Sequence, residues 1–398
     1  MKYIPRRFDS QNFLPGSVTQ GKASKKLFVT SSSDPAKTND TGEGYAAGTT
    51  WVNTTSGQIF LCTDSTAENS VWRGQEGDDI NYVQHSTGDT NYYFTGPGPA
   101  SGMTGTGSVI KVQFSNDADS DTGYDMGFPG GSAGSYDGVG HGSTTHMFQS
   151  GGNIHPSPGL QDTVQKMTYA SLADSADHGE LSATIRAHSG LSSTTEGFCV
   201  GGQPGWADKI DRFSFATPFS TTADVGEMNE IVHSMAGISG TIQGKGWLCG
   251  GHEDNTMVNT IQTLSFDAGE NNTADWGELS ATSGNNIGHN DQTYGWVERA
   301  STGPGNQTNQ TNNRDYFSLA SAGNGSDSGE AVTTTYDRSQ PGGMSPTHGY
   351  SALGYNPGAG SDPVGLDAIE KFAYASPYNG SDVGEAPAHG YAGMGASD

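Results

Sequence analysis

One short pattern of apolar residues recurs six times along the 398-residue chain. In its clearest copy, Ile210 to Phe215 (IDRFSF), an extended backbone would point Phe213 and Phe215 to one face and Ile210 to the other. The pattern therefore predicts β-strands that are apolar on both faces. The other five copies run from Val109 to Phe114, Val164 to Tyr169, Ile261 to Phe266, Arg314 to Leu319 and Ile369 to Tyr374.

An Asp-x-Gly sequence follows every copy, and its glycine marks the period of the repeat. Successive glycines lie 47 to 56 residues apart, a period typical of solenoids and propellers. The strand pattern favours the propeller, because each blade of a propeller is covered on both sides by its neighbours. The six glycines are Gly123, Gly179, Gly226, Gly277, Gly329 and Gly384.

Two other apolar segments precede the recurring strand within a repeat. One is an aromatic strand that ends in a glycine pair, such as Gly201-Gly202, and the other follows the pattern Arg186-x-x-x-Gly190. With the Asp-x-Gly stretch read as a turn, this order resembles the kelch repeat over residues 92 to 394, although Asp-x-Gly-Glu stands where kelch repeats carry a tryptophan. The resemblance implies an all-β fold: a kelch-like β-propeller of six or seven blades, assigned here to residues 80–398.

The C-terminal end of the chain supplies one strand beyond the last repeat. Tyr391 follows Gly384 by only seven residues, so His389 to Met394 is predicted to be a single leftover strand. We expect this strand to pair with the first blade and close a six-bladed ring, which would remove the free strand edges. The predicted core of the propeller consists of Phe114, Tyr169, Ile210, Phe213, Phe215, Phe266, Phe372 and Tyr374.

A different pattern occupies residues 44–79, ahead of the repeats. Two short alternating strands flank a turn rich in Asn, Ser and Gly, and Trp72 follows on a third strand. We predict a small β module with Trp51, Phe60 and Trp72 as its core. The sequence G-x-x-W-x-N-x-x-x-G-x-x-F-x-C, followed by Trp72, resembles a module near the start of many bacteriophage tail-fibre and other virion appendage proteins.

Charge is distributed unevenly along the chain. Residues 1–40 carry a net charge of +4, whereas the remainder carries −29. We predict that residues 1–43 form an extended basic arm that attaches to a partner, although a solvated tail is an alternative. The body would repel a phosphate backbone, which argues against a nucleic acid partner. The predicted attachment residues are Lys2, Ile4, Arg6, Arg7, Phe8, Phe13 and Leu14.

The overall composition would by itself indicate disorder, since only 32% of residues are apolar and 60 are glycine. The periodic aromatic strands override that indication. No apolar run reaches the roughly 18 residues of a membrane span, and no secretory signal is apparent, so we expect no membrane insertion. Cys199 and Cys249 hold equivalent places in successive repeats, which predicts small core residues rather than a disulfide.

Two groups of residues could bind a metal ion. Asp117, Asp119, Asp121 and Asp125 alternate as in a calcium loop, but the glycine falls one place late and a phenylalanine holds position twelve, which favours a structural acidic turn. Four histidines recur a blade apart, too far to share one ion: His188, His233, His348 and His389. We expect no cofactor.

The sequence lacks His-Glu-x-x-His and paired-cysteine motifs. Together with the resemblances, this predicts a non-enzymatic structural protein of a phage particle, assembled in the host cytoplasm. The N-terminus would bind other virion proteins, and the propeller, in several copies or as a homo-oligomer, would bind host-surface glycans as tail fibres do. The alternatives are a capsid head-fibre or decoration protein and, from another class, a glycan-cleaving propeller enzyme.

Overall fold

The chain is all-β and divides into two compact units, Met1–Val83 and Gln84–Asp398. The computed structural model describes residues 26–36, 38–54, 59–67, 70–74, 91–97, 105–127, 133–134, 137–154, 159–205, 208–254, 256–267, 271–291, 293–302, 310–335, 342–356, 364–376, 378–390 and 394–397. These residues contain no helix with the length and apolar character that a bilayer crossing requires.

The first unit is a four-stranded sheet in the order β1-β2-β3-β4. Strand β1 is parallel to β2, and the other neighbours are antiparallel. The elements are β1 (Lys26–Ser31), a single 3-10 turn (Thr41–Glu43), β2 (Tyr45–Asn53), β3 (Ile59–Asp64) and β4 (Val71–Gly74).

The inner face of this sheet buries a small aromatic core. The rings of Trp51 and Trp72 meet edge to face with centroids 5.6 Å apart, and Phe60 is buried beside them. The indole N–H of Trp51 donates to the carbonyl of Ser33 at 2.9 Å, and that of Trp72 donates to the carbonyl of Asn39 at 3.2 Å. The predicted boundary of the arm at residue 43 is therefore wrong. The described residues 26–36 and 38–43 belong to the sheet unit because they supply both a strand and the carbonyl groups that satisfy the buried indoles.

The second unit contains 27 strands within its described residues. They are β5 (Asn91–Pro97), β6 (Gly105–Gln113), β7 (Ala118–Asp125), β8 (Ala133–Gly134), β9 (Val139–Gly142), β10 (His146–Ser150), β11 (Asn153–Ile154), β12 (Gly159–Leu160), β13 (Thr163–Thr168), β14 (Ala176–Glu180), β15 (Ser189–Ser192), β16 (Glu196–Val200), β17 (Lys209–Ser214), β18 (Ala223–Glu227), β19 (Ala236–Gly240), β20 (Lys245–Glu253), β21 (Thr256–Ser265), β22 (Ala274–Glu278), β23 (Ile287–Asn290), β24 (Tyr294–Glu298), β25 (Thr311–Ser318), β26 (Ser326–Thr335), β27 (Gly343–Met344), β28 (His348–Asn356), β29 (Val364–Ala373), β30 (Ser381–Gly390) and β31 (Gly395–Ser397).

These strands form six antiparallel sheets, each with four strands in a continuous order. The first sheet is β31-β5-β6-β7, with β8 added against β6, and the second is β9-β10-β13-β14, while β11 and β12 pair separately. The third to sixth sheets are β15-β16-β17-β18, β19-β20-β21-β22, β23-β24-β25-β26 and β27-β28-β29-β30. We call β31, β9, β15, β19, β23 and β27 the first strands of their sheets.

The recurring apolar pattern forms the third strand of each sheet, and its two faces bury against different neighbours, as predicted. Phe213 on β17 and Phe215, which directly follows that strand, pack with Phe148 of the second sheet. Ile210 of the same strand belongs to a separate cluster with Leu248 of the fourth sheet. This strand therefore contacts the sheets on both of its sides. Each of its two faces carries apolar residues because each face packs against a different sheet.

The Asp-x-Gly stretch, predicted to be a turn, is instead part of the fourth strand of each sheet. In the second sheet, Asp177 and Gly179 lie within β14, where the pairing with β13 shifts register between Val164 and Gln165. Gly179 has a φ of 148°, a conformation that residues with a Cβ rarely adopt. The glycine therefore marks a β-bulge in the fourth strand.

A repeated hydrogen bond joins each of four sheets to the next. In each case the acceptor is a polar side chain on the third strand of one sheet. The donor is a backbone N–H of the preceding sheet, near the end of its fourth strand or just after it. The pairs are Ser182 to Asp211 (3.0 Å), Glu230 to Gln262 (3.0 Å), Ser280 to Asp315 (2.7 Å) and Val332 to Glu370 (3.1 Å). These bonds satisfy backbone groups where the chain crosses between sheets.

The C-terminal strand is β31, which pairs with β5 and aligns Gly395 with Phe94. The prediction that His389 to Met394 forms this strand is wrong in position, because His389 lies in β30 of the sixth sheet. The close approach of β31 requires a glycine at position 140 of β9, since a Cβ there would overlap the backbone of Gly395. The Tyr169 hydroxyl of the second sheet also donates to the carbonyl of Ser397 at 3.1 Å.

Candidate functional site

The first unit has an exposed apolar surface on the side of its sheet opposite the tryptophans. Phe28, Ile59 and Leu61 are 66%, 41% and 47% exposed. Cross-strand pairing places Phe28 beside Thr50, Thr50 beside Leu61 and Val52 beside Ile59, so these residues share one face. We call this the outer face, and it is formed by Phe28, Thr50, Val52, Ile59, Leu61 and Arg73.

The outer face follows from the local sequence of β3. Isoleucine, phenylalanine and leucine are consecutive in this strand, so Phe60 enters the core while Ile59 and Leu61 must point away from it. Arg73, which is exposed, lies opposite Leu61 on β4 and adds a positive charge at the rim. Contiguous exposed apolar residues with a polar rim are typical of a protein interaction surface. Sequence analysis missed this surface, although the three consecutive apolar residues were a visible signal.

In the second unit, polar side chains form a chain of contacts where the first strands begin. Asp137 Oδ2 lies 3.4 Å from Arg186 Nη1, and Arg186 Nη2 donates to Gln203 Oε1 at 3.3 Å. Gln203 Nε2 lies 3.0 Å from Nε2 of His233, whose ring stacks on His252 with centroids 5.1 Å apart. We call these five residues the polar band. They extend across the second, third and fourth sheets.

The backbone beneath the polar band is itself unusual. Asp137, Ala187, Ser234 and Asn285 have φ values of 51° to 57°, in the left-handed region. Ala187 N–H donates to the carbonyl of Asp137, Ser234 N–H to that of Ala187, and Asn285 N–H to that of Ser234, at 2.7, 2.8 and 2.9 Å. This ladder links four successive sheets and fixes the positions of the side chains above it.

The polar band combines an uncharged imidazole with the Arg186–Asp137 ion pair. Burial, and then the neighbouring His252 and Arg186, lower the pKa of His233 to about 4, so the imidazole is neutral near pH 7. Because Gln203 Nε2 is a donor, it occupies the lone pair on His233 Nε2, and the proton on Nδ1 then donates to Ser234 Oγ at 2.9 Å. Ser234 therefore faces an N–H rather than a basic nitrogen. The band can bind hydroxyl and amide groups, but in this tautomer His233 Nδ1 donates to Ser234 and cannot accept the proton of its hydroxyl.

The acidic residues predicted as a weak cation site lie on the turn after β6 and on β7. Asp117 forms an ion pair with Lys371 and accepts the hydroxyl of Tyr350 at 2.9 Å, so it joins the first sheet to the sixth. Asp119, Asp121 and Asp125 lie on the strand β7 rather than in a loop. No group of three or more His, Cys, Asp or Glu side chains suited to a metal occurs in the described parts of the chain.

The recurring histidines have local partners. His188 is buried, and its Nε2 lies 3.0 Å from Ser150 Oγ. His348 Nδ1 lies 2.8 Å from the hydroxyl of Thr347. His233 belongs to the polar band, and the side chain of His389 lies outside the described residues.

Most of the residues predicted to form the two cores are buried. Phe114 and Tyr374 are only half-buried, whereas the following are buried: Trp51, Phe60, Trp72, Tyr169, Ile210, Phe213, Phe215, Phe266 and Phe372. Phe114 ends up beside the ring of Tyr350, with centroids 4.7 Å apart, because β6 stops one residue before it.

Cys62, Cys199 and Cys249 are free and buried. The predicted attachment residues Lys2, Ile4, Arg6, Arg7, Phe8, Phe13 and Leu14 lie outside the described residues.

No protein-family model and no curated protein matches this chain. The solved structure of YjhT is similar to it, with a TM-score of 0.58 and 11% sequence identity, over 75% of this chain and 97% of that chain. A likeness at this identity shows the fold alone. The chain thus has an all-β, propeller-like fold.

Proposed function

We propose that this chain is a non-enzymatic structural protein of a bacteriophage particle, of the tail-fibre or receptor-binding type. Its N-terminal part anchors it to other virion proteins, and its second unit presents a β-propeller to glycans of the host surface. The observation that carries this proposal is the outer face, where Phe28, Ile59 and Leu61 are exposed on a small sheet that forms a compact unit apart from the repeats.

We propose that the second unit is a closed, kelch-like ring of six blades. Each of the six sheets has apolar or aromatic contacts with the next along the chain. The sixth and first sheets share a core that includes Tyr92 and Ile369, and the Asp117–Lys371 ion pair joins the same two sheets. Ring closure predicts that removing residues 395–398 lowers the melting temperature of the entire second unit. A loss confined to local fraying of the first sheet would contradict closure.

The anchoring partner is proposed to be a virion protein with an apolar groove and acidic rim. The outer face supplies apolar area and Arg73, and residues 1–25 add five further Lys or Arg residues against a single Asp. Apolar burial would provide most of the affinity, and the charges would favour an acidic partner. Several copies on one particle would give avidity from weak single sites.

Glycan binding is supported by the polar band. Amide, imidazole and guanidinium groups held in fixed positions suit a ligand with many hydroxyl groups. Incubation of the purified full chain with host polysaccharide should release no reducing ends. Release at catalytic rates would favour the glycan-cleaving alternative.

The anchoring proposal is tested by producing particles with Phe28→Ser or Leu61→Ser chains and measuring copy number. Both side chains are exposed, so the fold should remain intact while incorporation falls about tenfold. The matched control is Val332→Ser, because Val332 is also exposed but lies in the second unit. Normal incorporation of the Phe28 and Leu61 variants would contradict the proposal. Deleting residues 1–25 tests the basic arm separately.

A further inference from the structure

Aromatic side chains of the fifth and sixth sheets form a cluster near the ends of the first strands opposite to the polar band. Tyr294 is 38% exposed, and Tyr316 and Tyr378 are half-buried. The centroids of Tyr294 and Tyr316 are 5.4 Å apart, and those of Tyr316 and Tyr378 are 6.1 Å apart. We call these three residues the tyrosine platform.

A buried tryptophan supports the platform. Trp296 is 1% exposed, and its ring stacks on Tyr316 with centroids 5.2 Å apart and planes tilted by 25°. It also contacts Tyr378, with centroids 5.1 Å apart. Two of the three tyrosines therefore rest on one buried ring, which limits the loss of side-chain entropy when a ligand binds.

The backbone of the platform is also fixed. Asp291 Oδ1 accepts the N–H groups of Thr293 and Tyr294 at 2.9 and 2.6 Å, which holds the turn before Tyr294. The buried guanidinium of Arg314 donates to the carbonyl of Tyr378 at 2.7 Å. This fixes the turn between β29 and β30 against the fifth sheet.

The platform is specific to the fifth sheet and does not follow from the repeat. The strand positions equivalent to Tyr294 hold His146, Glu196, Lys245 and His348, and those equivalent to Tyr316 hold Lys166, Arg212, Thr263 and Lys371. In the third sheet, these positions form a surface ion pair, with Arg212 Nε 3.6 Å from Glu196. Side chains that every sheet needed for folding would recur at these positions in all sheets. The tyrosines of the platform do not recur, so the repeat fold does not explain them.

We propose that the tyrosine platform binds the ring of a neutral saccharide by stacking. This rests on the proposed glycan-binding function and adds a second contact surface, at the strand ends opposite to the polar band, together with its ligand class. Tyrosine faces suit the C–H face of a pyranose ring, and their hydroxyl groups can bond to those of the sugar. Asn379, next to Tyr378, is exposed, and its Oδ1 accepts the Glu330 N–H at 3.2 Å, which leaves its NH₂ group to donate. A net charge of −25 disfavours polyanionic glycans.

The test is isothermal titration of the full chain with maltoheptaose, mannopentaose and chitopentaose as neutral probes and polygalacturonate as the anionic probe. Tyr294→Ala should weaken binding of the preferred neutral probe about tenfold. Tyr294→Phe keeps the ring and should bind within about threefold of the wild type. The matched control is Glu196→Ala, at the equivalent position of the third sheet, and it should leave affinity unchanged. Circular dichroism and melting curves check that each variant is folded.

The outcomes separate this proposal from the proposed function. If the wild type binds a neutral probe and Tyr294→Ala binds it equally well, the platform assignment is overturned while glycan binding stands. Stronger binding of polygalacturonate than of every neutral probe overturns the ligand class. No binding of any probe overturns the platform proposal and the glycan part of the proposed function, whereas the outer-face variants test anchoring independently.

Discussion

The ring of Phe213 lies over Gly197, its partner on the neighbouring strand β16. A Cβ on Gly197 would be 2.6 Å from Cε1 of that ring, well inside van der Waals contact. The same relationship joins Gly295 to Phe317 in the fifth sheet and Gly349 to Phe372 in the sixth. In these three sheets, the glycine before the aromatic residue of the second strand therefore leaves the space that a third-strand phenylalanine fills.

Gly197→Ala should destabilise the second unit by about 1 to 3 kcal/mol, because the added methyl group forces Phe213 out of its position. The measurement is the free energy of unfolding in denaturant. Gly323→Ala is the control, since a Cβ there would meet no atom within 4 Å. Equal stability of both variants would mean that the ring can move aside at no cost.

Phe213→Ala should cost about 3 to 5 kcal/mol, as expected for removing a large buried side chain. Phe213 packs with Phe148 of the second sheet and with Phe219 of the segment between β17 and β18, so part of the lost contact area lies between sheets. Tyr294→Ala, at a partly exposed position, should cost far less. Proteolysis with an unchanged midpoint for Phe213→Ala would contradict the assignment of this strand to the core.

Asp211→Ala should destabilise by about 1 to 3 kcal/mol, because the N–H and hydroxyl of Ser182 lose their acceptor. Asp211→Asn should be tolerated within about 1 kcal/mol, since Gln262 fills the equivalent role with an amide. Burial raises the pKa of Asp211, despite the hydrogen bonds from Ser182 that oppose it. At a pH above the ordinary pKa of an aspartate, ionisation of Asp211 is less favourable in the native state than in the unfolded chain, which lowers the free energy of unfolding. Asn at this position does not ionise and avoids that loss. A similar loss in both variants would exclude this explanation.

Stability should fall as the pH is lowered from about 6.5 to 4. Burial lowers the pKa of His141 to about 4 and that of His188 to about 3, from an ordinary value of 6.5. In this pH range the unfolded chain therefore binds protons that the native chain does not bind. By about pH 4, the resulting loss in the free energy of unfolding is about 3 kcal/mol for each histidine. Unfolding free energies measured across this range should show a shallower slope in His188→Gln. The half-exposed His348 is the control, and His348→Gln should change the slope less. An unchanged slope in His188→Gln would contradict the assignment.

The sequence by itself determined the third strands. Residues such as Ile210, Phe213 and Phe215 are apolar on both faces of an extended chain, and only burial between two other layers satisfies that pattern. The core of the first unit could also be predicted from the sequence. Trp51, Phe60 and Trp72 lie in short strands of alternating apolar and polar residues, and turn residues separate these strands. In both cases the side chains of a few neighbouring residues carry the information.

Only the tertiary structure decided the elements whose partners are distant or whose side chains are small and polar. The stretch containing Gly179 reads as a turn because it lacks apolar alternation, yet pairing with β13 makes it a strand. Strand β31 has only small residues in Gly395 to Ser397, and its place is set by the narrow space beside Gly140. The tyrosine platform joins Tyr294 to Tyr378 across two sheets. Such contacts depend on how sheets are placed against each other, which no local pattern of residues encodes.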